Sequence, residues 1–285
     1  MNQLLADLLK VMTLERLEID LFRGQSRDIG SPQVFGGQVL GQALGAASAT
    51  AENRLVHSLH AYFLRRGDFN SPIVYEVDRA LDGKHFSSRR VVAIQHGRQI
   101  FNMSASFQIA EEGLNHQNSM PDVPSPESLT DMESYYRDRL MELPPAARRV
   151  LEQKRPFEFR PVKRPEHLHS EKSPPLRHIW FRAIDALPDD EALHRALLAY
   201  VSDFHLLDTS LMPHGMTLLW PKLVLASIDH AMWFHRSVRV DQWLLYATDS
   251  PSASGARGFT RGSVFARDGR LIASTAQEGL IRRTS

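Results

Sequence analysis

Cysteine is absent from the 285 residues, which removes a thiol nucleophile, thiolate metal sites and any disulfide framework at once. An excess of charge of one sign is missing too: 34 Lys and Arg face 33 Asp and Glu, a formal balance of +1. Such a chain has no electrostatic reason to seek nucleic acid or an anionic membrane surface. No run approaches the roughly 20 apolar residues of a membrane-spanning helix. The stretch Leu4–Met12 is broken by Asp7 and Lys10, while Leu5, Leu8, Leu9 and Met12 share one helical face. That pattern predicts a short amphipathic helix packed on a neighbour rather than a secretion signal. The final Arg282-Arg283-Thr284-Ser285 is not a peroxisomal Ser-Lys-Leu address, so the cytoplasm is the expected location.

Familiar catalytic motifs are missing as well. There is no Gly-x-Ser-x-Gly elbow, no His-Glu-x-x-His, no Walker loop and no Rossmann glycine pattern. His167-Leu168-His169 lies in a polar, proline-flanked stretch with no further ligand at a telling distance, so no metal site is expected there.

What the chain does contain is a soluble-protein core, 42% apolar and 24% charged residues, and an internal repeat. Val56–Arg65 and Ser227–Arg236 are both extended, aromatic-rich segments ending in arginine. Arg65 matches Arg236 and Tyr75 matches Tyr246, each 171 positions on. Arg89, Gly97, Arg98 and Ile100 then match Arg261, Gly269, Arg270 and Ile272 at 172, a one-residue insertion. Each half opens on a short strand, Asp20–Arg23 and Ile179–Arg182, and continues into a helix. The first helix is marked by Phe35, Val39, Ala43, Leu44 and Ala47, following Gly36-Gly37. The second starts at Pro188-Asp189-Asp190-Glu191, with acids facing the positive helix end, and presents Leu193, Ala196, Leu197, Tyr200 and Val201. Strands follow, joined by turns at Gly83, Gly97, Gly255 and Gly269, where glycine supplies the positive φ of tight hairpins.

The plan is therefore α+β: one long helix on one curved antiparallel sheet, made twice. An N-terminal domain is expected over 1–110, a linker with Pro121, Pro124 and Pro126 over 111–131, and a C-terminal domain over 132–285. Residues 133–154 can add a helix. Residues 155–175 look basic, proline-punctuated and irregular, without a counterpart in the first half.

Three polar segments stand out. Asp203 sits beside the apolar face of the second helix and needs a partner or a polar cavity; alone it could simply accept a backbone hydrogen bond. Strand alternation puts Ser227, Asp229 and Ala231 on one face and Ile228, His230 and Met232 on the other. Asp229 and His230 then cannot act as one dyad, and both could be structural. Gln277, near the end of the last strand, can donate and accept through one amide, or just be solvated. None of these signals is specific singly.

Taken with Phe35-Gly36-Gly37-Gln38-Val39 and Gly41-Gln42-Ala43-Leu44, they resemble the acyl-CoA thioesterase II family. The likeness extends through Phe22–Gln25, His57-Ser58, His60–Arg65, Ile228–His230, Met232–Arg236, Ser252–Ser254, Ala256–Phe259, Ala273–Thr275 and Gln277–Gly279. The resemblance implies a double hotdog that hydrolyses fatty acyl-CoA to free acid and CoA, with no metal, cofactor or covalent intermediate. It carries the family's catalytic aspartate onto Asp203, its hydroxyl onto Ser227, where threonine is usual, and its glutamine onto Gln277. Arg66, where proline is usual, is a second departure. The serine keeps the hydroxyl and loses a methyl, so a looser rotamer is expected. Oxyanion donors are expected at a helix N-terminus, where Gly36 and Gly37 permit close approach. Arg65, Arg236, Arg257 and Arg261 are candidates for the CoA phosphates, or ordinary strand-face arginines. The family further implies a homodimer or homotetramer, and the absence of a matching trio in the first half implies one site per chain. The rival expectations are a hotdog hydratase, for which His205 lies close to Asp203, and a non-catalytic acyl-CoA sensor.

Overall fold

The computed structural model describes residues 1–137, 140–143, 145–164, 171–217, 220 and 222–283. His167 and His169 lie outside the described residues. The helices are α1 (Gln3–Met12), α2 (Gly36–Ser48), α3 (Met132–Arg137), α4 (Pro145–Leu151) and α5 (Glu191–Ser202). The strands of the first half are β1 (Glu15–Glu18), β2 (Leu21–Gly24), β3 (Leu55–Phe63), β4 (Ile73–Asp82), β5 (Phe86–Gln95) and β6 (Arg98–Gln108). Those of the second are β7 (Phe157–Pro161), β8 (Leu176–Ala183), β9 (Leu223–Ser227), β10 (Asp229–Phe234), β11 (Leu244–Ser254), β12 (Arg257–Ala266) and β13 (Leu271–Arg283).

All pair into one antiparallel sheet in the order β1-β2-β4-β5-β6-β3-β10-β13-β12-β11-β8-β7, with β9 also on β13. The order is a palindrome about the β3–β10 seam, where Asp229 faces Tyr62 and Ala231 faces His60. This is the α+β arrangement expected, with the repeat visible as matched strands. One expectation fails. Phe157–Pro161 is a strand on β8, as Glu15–Glu18 is a strand on β2, so the stretch 155–175 does have a counterpart. Its Phe157-Glu158-Phe159-Arg160-Pro161 alternates buried and half-buried residues, a period of two that the nearby prolines obscure.

The helices α2 and α5 pack on each other against the sheet, with Leu40, Leu44, Leu197, Leu198 and Val201 in a continuous core. Their approach is close: a β-carbon on Gly37 would lie 2.2 Å from the carbonyl oxygen of Tyr200. Only glycine tolerates that contact. The first helix begins at Gly36, so the glycine pair forms its opening turn rather than preceding it. Asp190 caps α5 by accepting the N–H of Leu193 at 3.1 Å.

Two of the tight turns have positive φ at both central residues, His96-Gly97 and Gly255-Ala256, which matches the twist of the strands they join. Gly269 is also at positive φ. Gly83 is not; it sits in a three-residue connection closed by its N–H to the carbonyl of Phe86 at 2.9 Å. Beyond β6 the chain crosses the surface of the second half. Gln117 brackets the turn at Gly269, and the Trp180 indole donates to the carbonyl of Pro124 at 2.9 Å. Among the described residues no helix is long and apolar enough to cross a membrane.

Candidate active site

Asp203 is the residue on which α5 ends, and its side chain is almost wholly buried. A buried carboxylate needs donors, and two converge on one oxygen. The Gln277 amide Nε2 donates to Asp203 Oδ1 at 2.7 Å, and the Ser227 hydroxyl donates to the same atom at 3.3 Å. The other oxygen, Oδ2, faces the start of α2, where a β-carbon on Gly36 would come within 2.8 Å of it. The first-turn N–H groups of a helix have no intrahelical acceptor, and that end carries partial positive charge. Asp203 therefore lies at the junction of two helix ends, one from each half of the chain.

Ser227 and His230 both reach Asp203, which strict alternation forbids. The reason is a bulge at Ile228, between β9 and β10. Ser227 pairs with Gly279 and Ala231 with Ala276, so four steps on one strand face three on the other. Glu278 holds the irregularity: its carbonyl accepts the Ile228 N–H at 2.9 Å and its N–H donates to the Asp229 carboxylate at 2.7 Å. Asp229 is thus occupied in securing the bulge, and burial raises its pKa. The same bulge occurs in the first half, between Val56 and Ser58.

His230 is fully buried, with Nδ1 3.1 Å from Gln277 Nε2 and 3.9 Å from Asp203 Oδ1. Its Nε2 lies 3.0 Å from the Ser202 hydroxyl. Burial pushes its pKa down, against the pull of the Asp203 charge. Sequence alternation set His230 on the far face from Ser227 and so missed it. Gln277 is also fully buried, and its Oε1 has no hydrogen-bond donor among the described residues. The site thus offers a carboxylate with one oxygen held, a second oxygen at a helix N-terminus, and an open buried acceptor.

His205 does not join this cluster. It adopts a left-handed backbone (φ 62°) and turns to Asp208, with Nδ1 3.4 Å from Oδ2. Burial opposes ionisation of Asp208, but the Arg177 guanidinium at 2.8 Å and the imidazole hold its pKa down to about 2. This pair lines a cavity of about 570 Å³ with Phe157, Phe159, Ile179 and Met212. Asp203, Ser227 and Gln277 are not among its lining residues.

The four candidate arginines differ. Arg257 is paired with Glu278 at 2.8 Å and Arg261 with Asp249 at 2.5 Å. Arg65 and Arg236 instead donate to the carbonyls of Gln99 and Leu271, and Arg236 also to the Asn115 side chain. Arg65 lies just beyond the end of β3, where the Phe63 N–H donates to the carbonyl of Ile228 at 2.9 Å. Arg236 lies just beyond the opposite end of the seam, where Trp233 faces Ser58.

Comparison with known proteins places the chain in a family. Residues 146–280 match the model of the acyl-CoA thioesterase family, and residues 23–108 match that of the acyl-CoA thioesterase N-terminal domain. The chain is 42% identical to acyl-CoA thioesterase 2 of Haemophilus influenzae over 283 residues, covering 99% of each protein. Among solved structures, acyl-CoA thioesterase II TesB2 from Mycobacterium marinum superimposes with a TM-score of 0.80 at 40% identity, over 98% of this chain and 99% of that one. A hot dog fold protein from Alicyclobacillus acidocaldarius gives a TM-score of 0.78 at 20% identity, over 98% and 99%, a likeness of fold alone.

Proposed function

The chain belongs to the acyl-CoA thioesterase family, and on that premise we propose that Asp203, Ser227 and Gln277 hold and activate the water that cleaves its acyl-CoA substrate. The protein is a double-hotdog thioester hydrolase, converting fatty acyl-CoA and water to fatty acid and CoA. The observation that carries the site is the convergence of Gln277 and Ser227 on one carboxylate oxygen, with the other turned to the start of α2.

The division of labour follows from that geometry. Two donors fix the carboxylate, and Oδ2 takes a proton from the attacking water. Gln277 Oε1 accepts the water's second hydrogen and fixes its orientation. As the carbon–oxygen bond forms, negative charge grows on the carbonyl oxygen, and the N–H groups of Gly36 and Gly37 are suited to receive it. The intermediate collapses with loss of the CoA sulfur, which recovers the proton from Asp203. This reading takes 1–110 and 132–285 as the two hotdog units and 111–131 as their tether. It also makes the site composite, since the first unit supplies the helix start.

Arg65 serves the CoA phosphates. It lies at the catalytic end of the seam and its charge is balanced by no carboxylate among the described residues. Arg257 and Arg261 are engaged with Glu278 and Asp249 and serve less well. The enzyme works in the cytoplasm as a homodimer or homotetramer, which light scattering coupled to gel filtration would test.

Incubation with decanoyl-CoA and a thiol reagent tests the reaction. Release of free CoA is expected, whereas loss of enoyl absorbance without thiol in a parallel incubation with trans-2-decenoyl-CoA would identify a hydratase. Ligand binding with no turnover would identify a sensor. The hydratase alternative is disfavoured by His230, because both its ring nitrogens are engaged and the ring has no exposure.

A further inference from the structure

The Ser202 hydroxyl lies 2.9 Å from the carbonyl oxygen of Ala199, which can only accept. The hydroxyl therefore donates there and accepts from His230 Nε2 at 3.0 Å, which puts the imidazole proton on Nε2. Nδ1 is left as an acceptor facing Gln277 Nε2 at 3.1 Å. The two amide hydrogens of Gln277 then have two acceptors, His230 Nδ1 and Asp203 Oδ1. Flipping the amide would set Oε1 against a carboxylate oxygen and an imidazole lone pair at those same short distances. The flip is thus blocked from both sides, and Oε1 must point the other way.

We infer that His230 is a positioning residue: it locks the Gln277 amide with its oxygen turned away from Asp203, available to the hydrolytic water. The inference rests on the reading of Gln277 as a water-holding residue. His230 touches no reacting atom and acts through the amide alone.

The first half of the chain is an internal control for this role. Leu59 and Ala105 pair across β3 and β6, and they lie 171 and 172 positions before His230 and Gln277. Both are buried. The fold therefore accepts an apolar rung at this place, and nothing in the sheet demands an imidazole there.

That control supplies the test. His230→Leu copies the residue of the first half and should fold, as a melting curve near that of the parent would verify. Without the Nδ1 acceptor the amide loses its lock, and kcat should fall about 10–100-fold while KM moves less than about twofold, as expected when a group is misplaced rather than removed. His230→Asn sets a carbonyl oxygen near the place of Nδ1 and should recover most of the loss. In a Gln277→Ala background, His230→Leu should cost nothing further. An unchanged kcat in the leucine variant overturns the inference, as does failure of asparagine to recover activity, or losses that simply multiply in the double variant. Full activity of Gln277→Ala alone would instead remove Gln277 from the proposed trio, a separate failure.

Discussion

The two halves share a strand order, a central helix and even a bulge, yet only the second carries the candidate side-chain trio. On the bulged strand the first half has Val56 and Leu59 where the second has Ser227 and His230, each pair 171 positions apart. On the next strand it has Ala105 in place of Gln277. The first helix ends on Ala49 and the second on Asp203. The bulge and the helix end belong to the fold, and the candidate site places polar side chains at positions the fold already offers. The first half buries a charge elsewhere, on Arg89. That guanidinium is fully buried and donates to Thr50, to the carbonyl of Leu81 and to Asp82 at 2.6 Å. Its counterpart Arg261 is exposed and, among the described residues, paired with Asp249.

The comparison can be broken most severely at Asp203. Asp203→Asn keeps the shape and the ability to accept from Gln277 and Ser227 but removes the proton acceptor. Steady-state turnover should fall by roughly 10²–10⁴-fold, with an unchanged melting temperature. Retention of near-parental kcat would take Asp203 out of the reaction.

The two seam arginines sharpen it next. Arg65→Ala should raise KM for acyl-CoA about tenfold, the order of one lost charge-assisted contact of roughly 1.5 kcal/mol. Its KM for an acyl-pantetheine lacking the nucleotide phosphates should stay put. Arg236→Ala, at the opposite end of the seam, should alter neither; equal effects from both would deny the seam a catalytic end.

Stability should show the reverse asymmetry. Arg89→Ala empties the buried space of the guanidinium and strips the Thr50 groups and the Leu81 carbonyl of its hydrogen bonds, and urea unfolding should register a loss of roughly 3 kcal/mol. Arg261→Ala, an exposed pair, should fall within about 0.5 kcal/mol of the parent. Neither should change kcat.

The smallest effect concerns acid. Burial pushes the imidazole pKa below its ordinary 6.5 at His194, His205 and His230 in the second half, and at His57 in the first. A depressed folded pKa means that the unfolded chain takes up protons first as pH falls below 6.5. The stability these groups hold is therefore complete above that pH and drains below it. Hydrogen exchange at pH 5 against pH 8 should show earlier loss of protection in β8–β13 than in β2–β6.

Much of this was legible in the residues. The matched arginines and tyrosines, with a one-residue change of spacing, announced two copies of one sheet. The apolar periods of α2 and α5 placed the core. The trio was named only by family likeness, since an aspartate at a helix end, a serine on a strand and a glutamine near a terminus are each commonplace. The missed features depend on where the chain departs from ideal geometry. Alternation has no means of registering the bulge at Ile228, so it sent His230 to the wrong side. The strand Phe157–Pro161 was masked by its prolines, although Pro161 stands at the end of an edge strand that tolerates it. The meeting of Gly36 with Asp203 is a contact across 167 positions that no local pattern can announce.

The seam between β3 and β10 has a consequence for dilution. Five residue pairs join the two halves across it, and the proposed site draws on α2 from one half and α5 from the other. Were the halves separate molecules, activity per molecule would decline wherever their concentration fell below the strength of their association. Covalent connection holds each half in a local concentration on the order of millimolar around the other. A composite site of the proposed kind would therefore stay assembled on dilution, and scarcity of the enzyme would cost molecules but no activity per molecule.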